Sequence, residues 1–303
     1  MKNTKVLLLM DGNHLLHRSY HKFRGFKSMD GRGSACLYGF PLVLQSMLKQ
    51  FEPTKVITVF DGHSHKIRKE LLPGYRDRTQ TVRLDFDYKD FMAQKKGVME
   101  LMAALGISVA MDPHGEADDI IYAISMKYLK LGYKIVIVSG DKDFNQMLIH
   151  PEITIYHAGK QAKITHKTIM RHYGYRAEQT VDFLTLLGDK SDKIPGLPGC
   201  GEKTAIEFLE QWDSIERYIH PKAKEKFPRV DREKLKDIYQ LHNQLINLDY
   251  MYQREYRGKK TPYKYKNPEF DWPKVLDIAA KYNIRLFTKT KDFKKLFKDL
   301  HDG

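Results

Sequence analysis

Cysteine is nearly missing from this chain: Cys36 and Cys200 are its two thiols in 303 residues. Two cysteines without a CxxC pair build no disulfide framework, argue against structural zinc and fit a reducing cytoplasm. No apolar run approaches the roughly 20 residues that cross a bilayer, so no membrane partner is expected. The apolar stretch ahead of Asp11 is shorter than the core of a secretion signal and lacks a small-residue cleavage site. It reads as a buried strand. Repeats and low-complexity tracts are also missing. Acid is scarce relative to base: 38 Asp and Glu face 52 Lys and Arg, a formal charge of +14. That surplus favours a polyanionic partner, most commonly nucleic acid, although a merely basic protein would carry the same sum. With 42% hydrophobic and 12% aromatic residues, the chain can bury a core and is no disordered tail. Its length fits one large domain or two smaller ones.

The first half alternates two textures. Short Leu-rich or β-branched runs at Lys5–Met10, Lys55–Phe60, Ile107–Met111 and Lys134–Ser139 lack polar alternation, as strands buried on both faces do. Helix-like stretches lie between them at Tyr38–Phe51, Tyr88–Leu105 and Ala117–Leu131. This rhythm predicts an α/β fold with a doubly wound, mostly parallel sheet. His63–Asp87 breaks it with many charges and the turn-prone Leu72-Pro73-Gly74, and reads as a functional excursion. Beyond Thr180 the chain reads as helical: Val181–Leu187, Glu202–Gln211, Arg232–Asn247, Trp272–Tyr282 and Lys291–Leu300.

Ligands bind open parallel sheets beyond the carboxyl ends of the strands, and here those ends are acidic. Asp11 and Asp61 follow the first two runs, Glu116, Asp118 and Asp119 open the helix after the third, and Asp141 and Asp143 follow the fourth. Asp189 and Asp192 lie three apart, on one face of a helical turn. Each alone is explained by a turn or a helix cap; together they are not. Two carboxylates ~6 Å apart repel by roughly 3 kcal/mol at an effective dielectric of ~20. Nine in one cleft need protons or cations. An all-oxygen donor set favours Mg²⁺ or Mn²⁺ over zinc, and paired hard ions suit in-line phosphoryl chemistry. The residues alone therefore point to a metal-dependent phosphate or phosphodiester hydrolase. Ile194-Pro195-Gly196-Leu197-Pro198-Gly199-Cys200-Gly201-Glu202-Lys203-Thr204 lacks Walker A order. It reads as a hairpin between two helices, the second opening its N–H groups towards a phosphate.

The order of these motifs resembles the 5′-nuclease family: the 5′→3′ exonuclease domain of bacterial DNA polymerase I, stand-alone bacterial relatives and phage flap endonucleases. The resemblance rests on Met10-Asp11-Gly12-Asn13 through His17-Arg18-Ser19-Tyr20, Phe60-Asp61-Gly62, Arg68 through Arg76, Gly115-Glu116-Ala117-Asp118-Asp119, Ser139 through Phe144, and Leu187 through Ala205. It implies a PIN-like core with a helical arch at about 62–87, the core spanning 1–187. A helix–hairpin–helix region and helical extension over 188–303 follow. By position, Asp11, Asp61, Glu116, Asp118 and Asp141 match carboxylates around a catalytic metal. Asp143, Asp189 and Asp192 match those around a second, and Asp119 joins the cluster. The implied cofactors are two Mg²⁺, with Mn²⁺ as substitute, and K⁺ at the hairpin. The resemblance also implies that Tyr75 stacks on a base, that Arg76 meets the scissile phosphate, and that Arg78 contacts DNA. Arg18, on the helix after Asp11, could face the DNA end or form a structural salt bridge. Gly199, Gly201, Lys203 and Thr204 would hold the duplex.

The implied activity is structure-specific 5′ nuclease action, exonuclease and flap endonuclease, in DNA replication or repair. Its substrates would be 5′ flaps, nicks, free 5′ ends and RNA primers in hybrids, handled by a cytoplasmic monomer. Two departures stand out: Lys193 replaces the usual Asn of GDxSDN, and Tyr75-Arg76-Asp77-Arg78 alters the spacing of the arch bases. No polymerase activity is expected. Two competitors remain: a phosphomonoesterase with an Asp nucleophile, which needs DxD where the chain has Asp11-Gly12-Asn13, and a non-catalytic DNA-binding protein. His14, His17 and His21 share one helix without acidic partners at zinc spacing and read as solvated or core histidines. Arg257–Lys266 reads as a solvated basic face whose tyrosines could stack on nucleic acid. Met92–Met102 reads as core.

Overall fold

The computed structural model describes residues 5–62, 64–76, 86–258, 264–266, 268–289 and 291–302. Strands β1 (Val6–Asp11), β2 (Lys55–Phe60), β3 (Ser108–Met111), β4 (Lys134–Val138), β5 (Ile153–His157) and β6 (Ala162–Thr165) join Lys264–Lys266 in one seven-stranded sheet. The order is β6-β5-β4-β1-β2-β3 and then Lys264–Lys266. The five strands from β5 to β3 are parallel, while β6 and Lys264–Lys266 close the two edges antiparallel.

Apolar residues fill both sides of the inner strands. Leu7, Leu9, Ile57, Val59, Ile135 and Ile137 face one core, whereas Leu8, Met10, Val56, Phe60, Val136 and Val138 face the other. The helices in chain order begin α1 (Gly12–Lys22), α2 (Ala35–Phe51), α3 (Lys66–Leu71), α4 (Tyr88–Ala104) and α5 (Ala117–Lys130). α5 covers the first face together with Thr180–Leu187, Glu202–Trp212 and Arg232–Ile246. α1, α2 and α4 cover the second, joined by Val275, Ile278, Phe293 and Phe297 from the last helices. The 188–303 stretch is thus shared between both faces of the sheet. Among the described residues no helix is long and apolar enough to cross a membrane.

The β5–β6 hairpin had no counterpart in the sequence reading. Its outer strand is largely uncovered, with only Ile164 buried, so hydrophobic pattern gives little signal there. Lys264–Lys266 pairs along β3 through its backbone, which lysines on an edge strand tolerate and which also blunts further pairing.

The Gly-rich segment is held by backbone contact. Gly188–Asp189 pairs antiparallel with Ile194–Pro195, and Gly188 has φ +74°. A Cβ on Gly188 would meet Gly196 N at 2.2 Å. Gly188→Ala combines this clash with a left-handed backbone, so we expect a loss of about 2 kcal/mol or more in urea unfolding.

Candidate active site

β1 lies at the centre because the chain winds one way through β2 and β3, then returns to place β4 on its other side. The crevice beyond the carboxyl ends of β1 and β4 is therefore the switch point of the sheet. Acidic side chains occupy the strand ends, turns and helix starts around it. Asp189 and Asp192, expected on a helical turn, sit in the hairpin that pairs Gly188–Asp189 with Ile194–Pro195. Asp11 caps α1 through His14 N–H (3.0 Å) and accepts from Ser139 Oγ at 2.7 Å. Asp61 accepts the N–H of Ala117 at the start of α5 (2.8 Å). Asp141 caps the 3₁₀ turn Lys142–Ile149 through Asp143 N–H (3.0 Å). Asp189 accepts from Ser191 N–H and Oγ, both at 2.6 Å, and from Asp192 N–H at 3.1 Å. Unpaired N–H groups and the helix dipole favour carboxylates at these positions.

The electrostatics join these groups into one cluster. Burial, then Asp61 and Asp141, push Asp11 up to about 7 against its bonds from Ser139 and His14. Asp118 is raised well above the carboxylate range by burial and by Asp141, Asp11 and Asp61. Asp143 is raised likewise by burial, Asp141, Asp192 and Asp189. Asp141 is raised by burial and by Asp189 and Asp192. Asp141 is the member that both sets feel. Glu116 moves the other way: burial raises it, but Arg68, Arg76 and His65 together hold it low.

Three residues expected at the site have protein partners of their own here. Asp119 was grouped with the metal carboxylates, but it is the bidentate partner of buried Arg68, at 2.7 and 2.9 Å. Successive helical residues point about 100° apart, so Asp118 and Asp119 leave α5 on different sides. Tyr75 was expected to stack on a base, yet it is 1% exposed and its OH donates to Asp192 (2.7 Å) and Glu116 (3.1 Å). Arg76, expected at the scissile phosphate, lies among the acids. Its Nε bonds Asp192 at 2.5 Å, and one terminal nitrogen is 3.2 Å from Glu116 and 3.9 Å from Asp61. Arg78, and the arch positions 63 and 77–85, lie outside the described residues.

Lys193 adopts φ +58° and is exposed. Asn visits that left-handed region most readily among side-chain-bearing residues, which accounts for the usual Asn there. Arg18 donates to the Ala158 carbonyl at 3.3 Å. In the hairpin, Gly199 and Gly201 are exposed and Thr204 is buried. The Lys203 side chain is 87% exposed. Three contributors carried no assigned role in the sequence: Arg68, Ser139 and Lys95, whose Nζ reaches the Asp61 carbonyl at 3.3 Å. Burial distinguishes Arg68 from the other described Lys and Arg residues, and burial is not written in local sequence.

Among the described residues no three His, Cys, Asp or Glu side chains stand close enough to hold a metal ion as they are placed. The donor chemistry still fits a hard divalent cation. It is all oxygen, its members raise one another's proton affinity, and a guanidinium lies among them. Asp11 binds its proton more tightly folded (about 7) than at its ordinary 3.8, so metal-free stability should fall as pH rises from about 4 to 7. Added Mg²⁺ should reduce that fall, read by thermal melts across the range. Asp119→Asn should weaken folding by about 3 kcal/mol, because it strands Arg68. It should leave divalent-ion affinity within about twofold by calorimetry, and a tenfold loss would return Asp119 to the metal set.

Comparison with known proteins agrees with this layout. Residues 6–174 match the 5'-3' exonuclease N-terminal resolvase-like domain, and residues 175–269 match the 5'-3' exonuclease C-terminal SAM fold. Thermostable DNA polymerase I of Thermus aquaticus is 35% identical over 220 residues, covering 70% of this chain and 25% of the polymerase. The chain thus spans about a quarter of the polymerases it matches. The 5'-3' exonuclease of Buchnera aphidicola is 31% identical, covering 71% of this chain and 73% of that protein. The T5 D15 protein co-crystallised with metal ions shares the fold at 17% identity, with TM-score 0.65 and coverage of 98% and 99%. Flap endonuclease-1 from Methanococcus jannaschii does so at 15%, with TM-score 0.58 and coverage of 99% and 94%. The chain belongs to the 5'-3' exonuclease family.

Proposed function

We propose that the chain is a divalent-metal-dependent, structure-specific 5′ nuclease that hydrolyses DNA phosphodiesters as exonuclease and flap endonuclease. One observation carries this reading: Asp11, Asp61, Asp118, Asp141, Asp143, Asp189 and Asp192 act on one another at the switch point of the sheet. Asp11, Asp61, Glu116, Asp118 and Asp141 would hold one Mg²⁺ or Mn²⁺, and Asp143, Asp189 and Asp192 a second. Such ions supply Lewis-acid activation of water and charge stabilisation at the leaving oxygen.

The chain's own residues bind and orient. Arg76 would give its carboxylate partners up for the scissile phosphate and stabilise charge developing there. Tyr75 and Arg78 would contact the single strand. Gly199, Gly201, Lys203 and Thr204 would present the hairpin to the duplex backbone, and the hairpin's carbonyls would be the donors for a K⁺ ion. The substrates would be 5′ flaps, nicks, free 5′ ends and primer hybrids, met by a monomer.

A labelled 5′-flap substrate tests the reading. Cleavage should require Mg²⁺ or Mn²⁺ and drop by at least about a hundredfold in Asp143→Ala, the scale of losing a transition-state contact. Undiminished cleavage in EDTA or in that variant sinks it. Lys203→Ala should weaken duplex binding uniformly across sequences and lower the salt slope by about 1.

A further inference from the structure

A second polar cluster borders the carboxylates on the β5 side. His14, in α1, and His157, at the end of β5, stand edge to face with ring centroids 6.4 Å apart. Gly140, the link from β4 to Asp141, lies between them. A Cβ on Gly140 would sit 2.8 Å from His14 Nε2 and 3.1 Å from His157 Nε2. Both nitrogens converge where the chain has no side chain. The Lys160 N–H donates to His157 Nδ1 at 3.2 Å, so the neutral ring carries its proton on Nε2, the convergent side. Arg18 closes the notch. Its Nε is 3.7 Å from the place a Gly159 Cβ would take, and His157 Cε1 is 3.0 Å from that same place.

After burial, His157 and Arg18 lower the proton affinity of His14, and Lys160 and Arg18 lower that of His157. Two imidazoles and a guanidinium crowded beside a glycine gain little from one another. An anion would satisfy all three.

We propose that His14, His157 and Arg18 form a subsite for the phosphate group of the nucleic-acid strand next to the one cleaved. The absence of a Cβ at Gly140 and Gly159 lets the two imidazoles close in on the backbone there. The proposal rests on the nuclease reading for its ligand but not for its geometry. It also reverses the sequence reading of His14 as a solvated or core histidine.

The test uses metal-free full-length protein in EDTA at fixed salt. Fluorescence anisotropy would follow binding of a single-stranded oligonucleotide with a 5′ phosphate or a 5′ hydroxyl. His14→Gln and His157→Gln should each weaken binding roughly tenfold, the worth of one hydrogen bond to a charged group. Inorganic phosphate should compete better against wild type than against the double variant. A loss confined to the 5′-phosphorylated strand assigns the subsite to a terminal monoester; equal loss on both assigns it to an internal diester. Unchanged affinities in natively folded variants overturn the proposal. If His14→Gln does not fold, His157→Gln and the phosphate competition decide it. Absence of flap cleavage in Mg²⁺ alongside intact phosphate competition would fell the nuclease reading and leave the subsite standing.

Discussion

Seven carboxylates that repel one another at one sheet edge are the constraint on which the rest of this structure depends. Folding brings Asp11, Asp61, Asp118, Asp141, Asp143, Asp189 and Asp192 within mutual influence, and nothing apolar can neutralise them. Arginine answers part of this repulsion. Arg76 reaches Asp192, Glu116 and Asp61. Its amide also donates to the Asp192 carbonyl at 3.1 Å, so the root of the arch is tied to the cluster by backbone and side chain together.

Arg68 answers a second part of the same problem. Its guanidinium pairs with Asp119 and lies 3.4 Å from Glu116, while Nε donates to the Leu245 carbonyl at 2.9 Å. One buried cation therefore joins α3, the start of α5 and the end of the Arg232–Ile246 helix. Breaking such a pair typically costs about 3–5 kcal/mol. It also explains how helices covering one face of the sheet are registered against a crevice at its edge.

Legibility in the sequence followed the physics of each element. β1, β2, β3 and β4 were readable because residues such as Leu7 and Leu8 are buried on opposite faces, which produces unbroken apolar runs. β5 and β6 were not, since the outer strand lies largely uncovered and its pattern is mixed. The acids were readable as a set because strand ends and helix starts mark where they converge. Their division was not: Asp118 and Asp119 are neighbours in sequence, and only the helical angle and the burial of Arg68 separate them. Tyr75 and Arg76 were singled out, but their partners, Asp192 and Glu116, come from distant parts of the chain. The His14–His157 pair was invisible for the same reason, since α1 meets the end of β5 only through the winding of the sheet.

The capping pattern gives the carboxylates a further meaning. In many α/β proteins a phosphate binds directly on the exposed N–H groups of a helix start. Here the starts around the crevice are already taken: Asp11 caps α1, Asp61 accepts from Ala117 at the head of α5, and Asp141 caps the following 3₁₀ turn. A phosphate arriving over them meets acid rather than N–H groups, so only a cation can bridge the two. The Glu202–Trp212 helix differs, because its N-cap is Gly201 and no side chain closes it. The fold thus treats its helix starts in two ways. Backbone amides stay open at the hairpin, and carboxylates close them at the crevice.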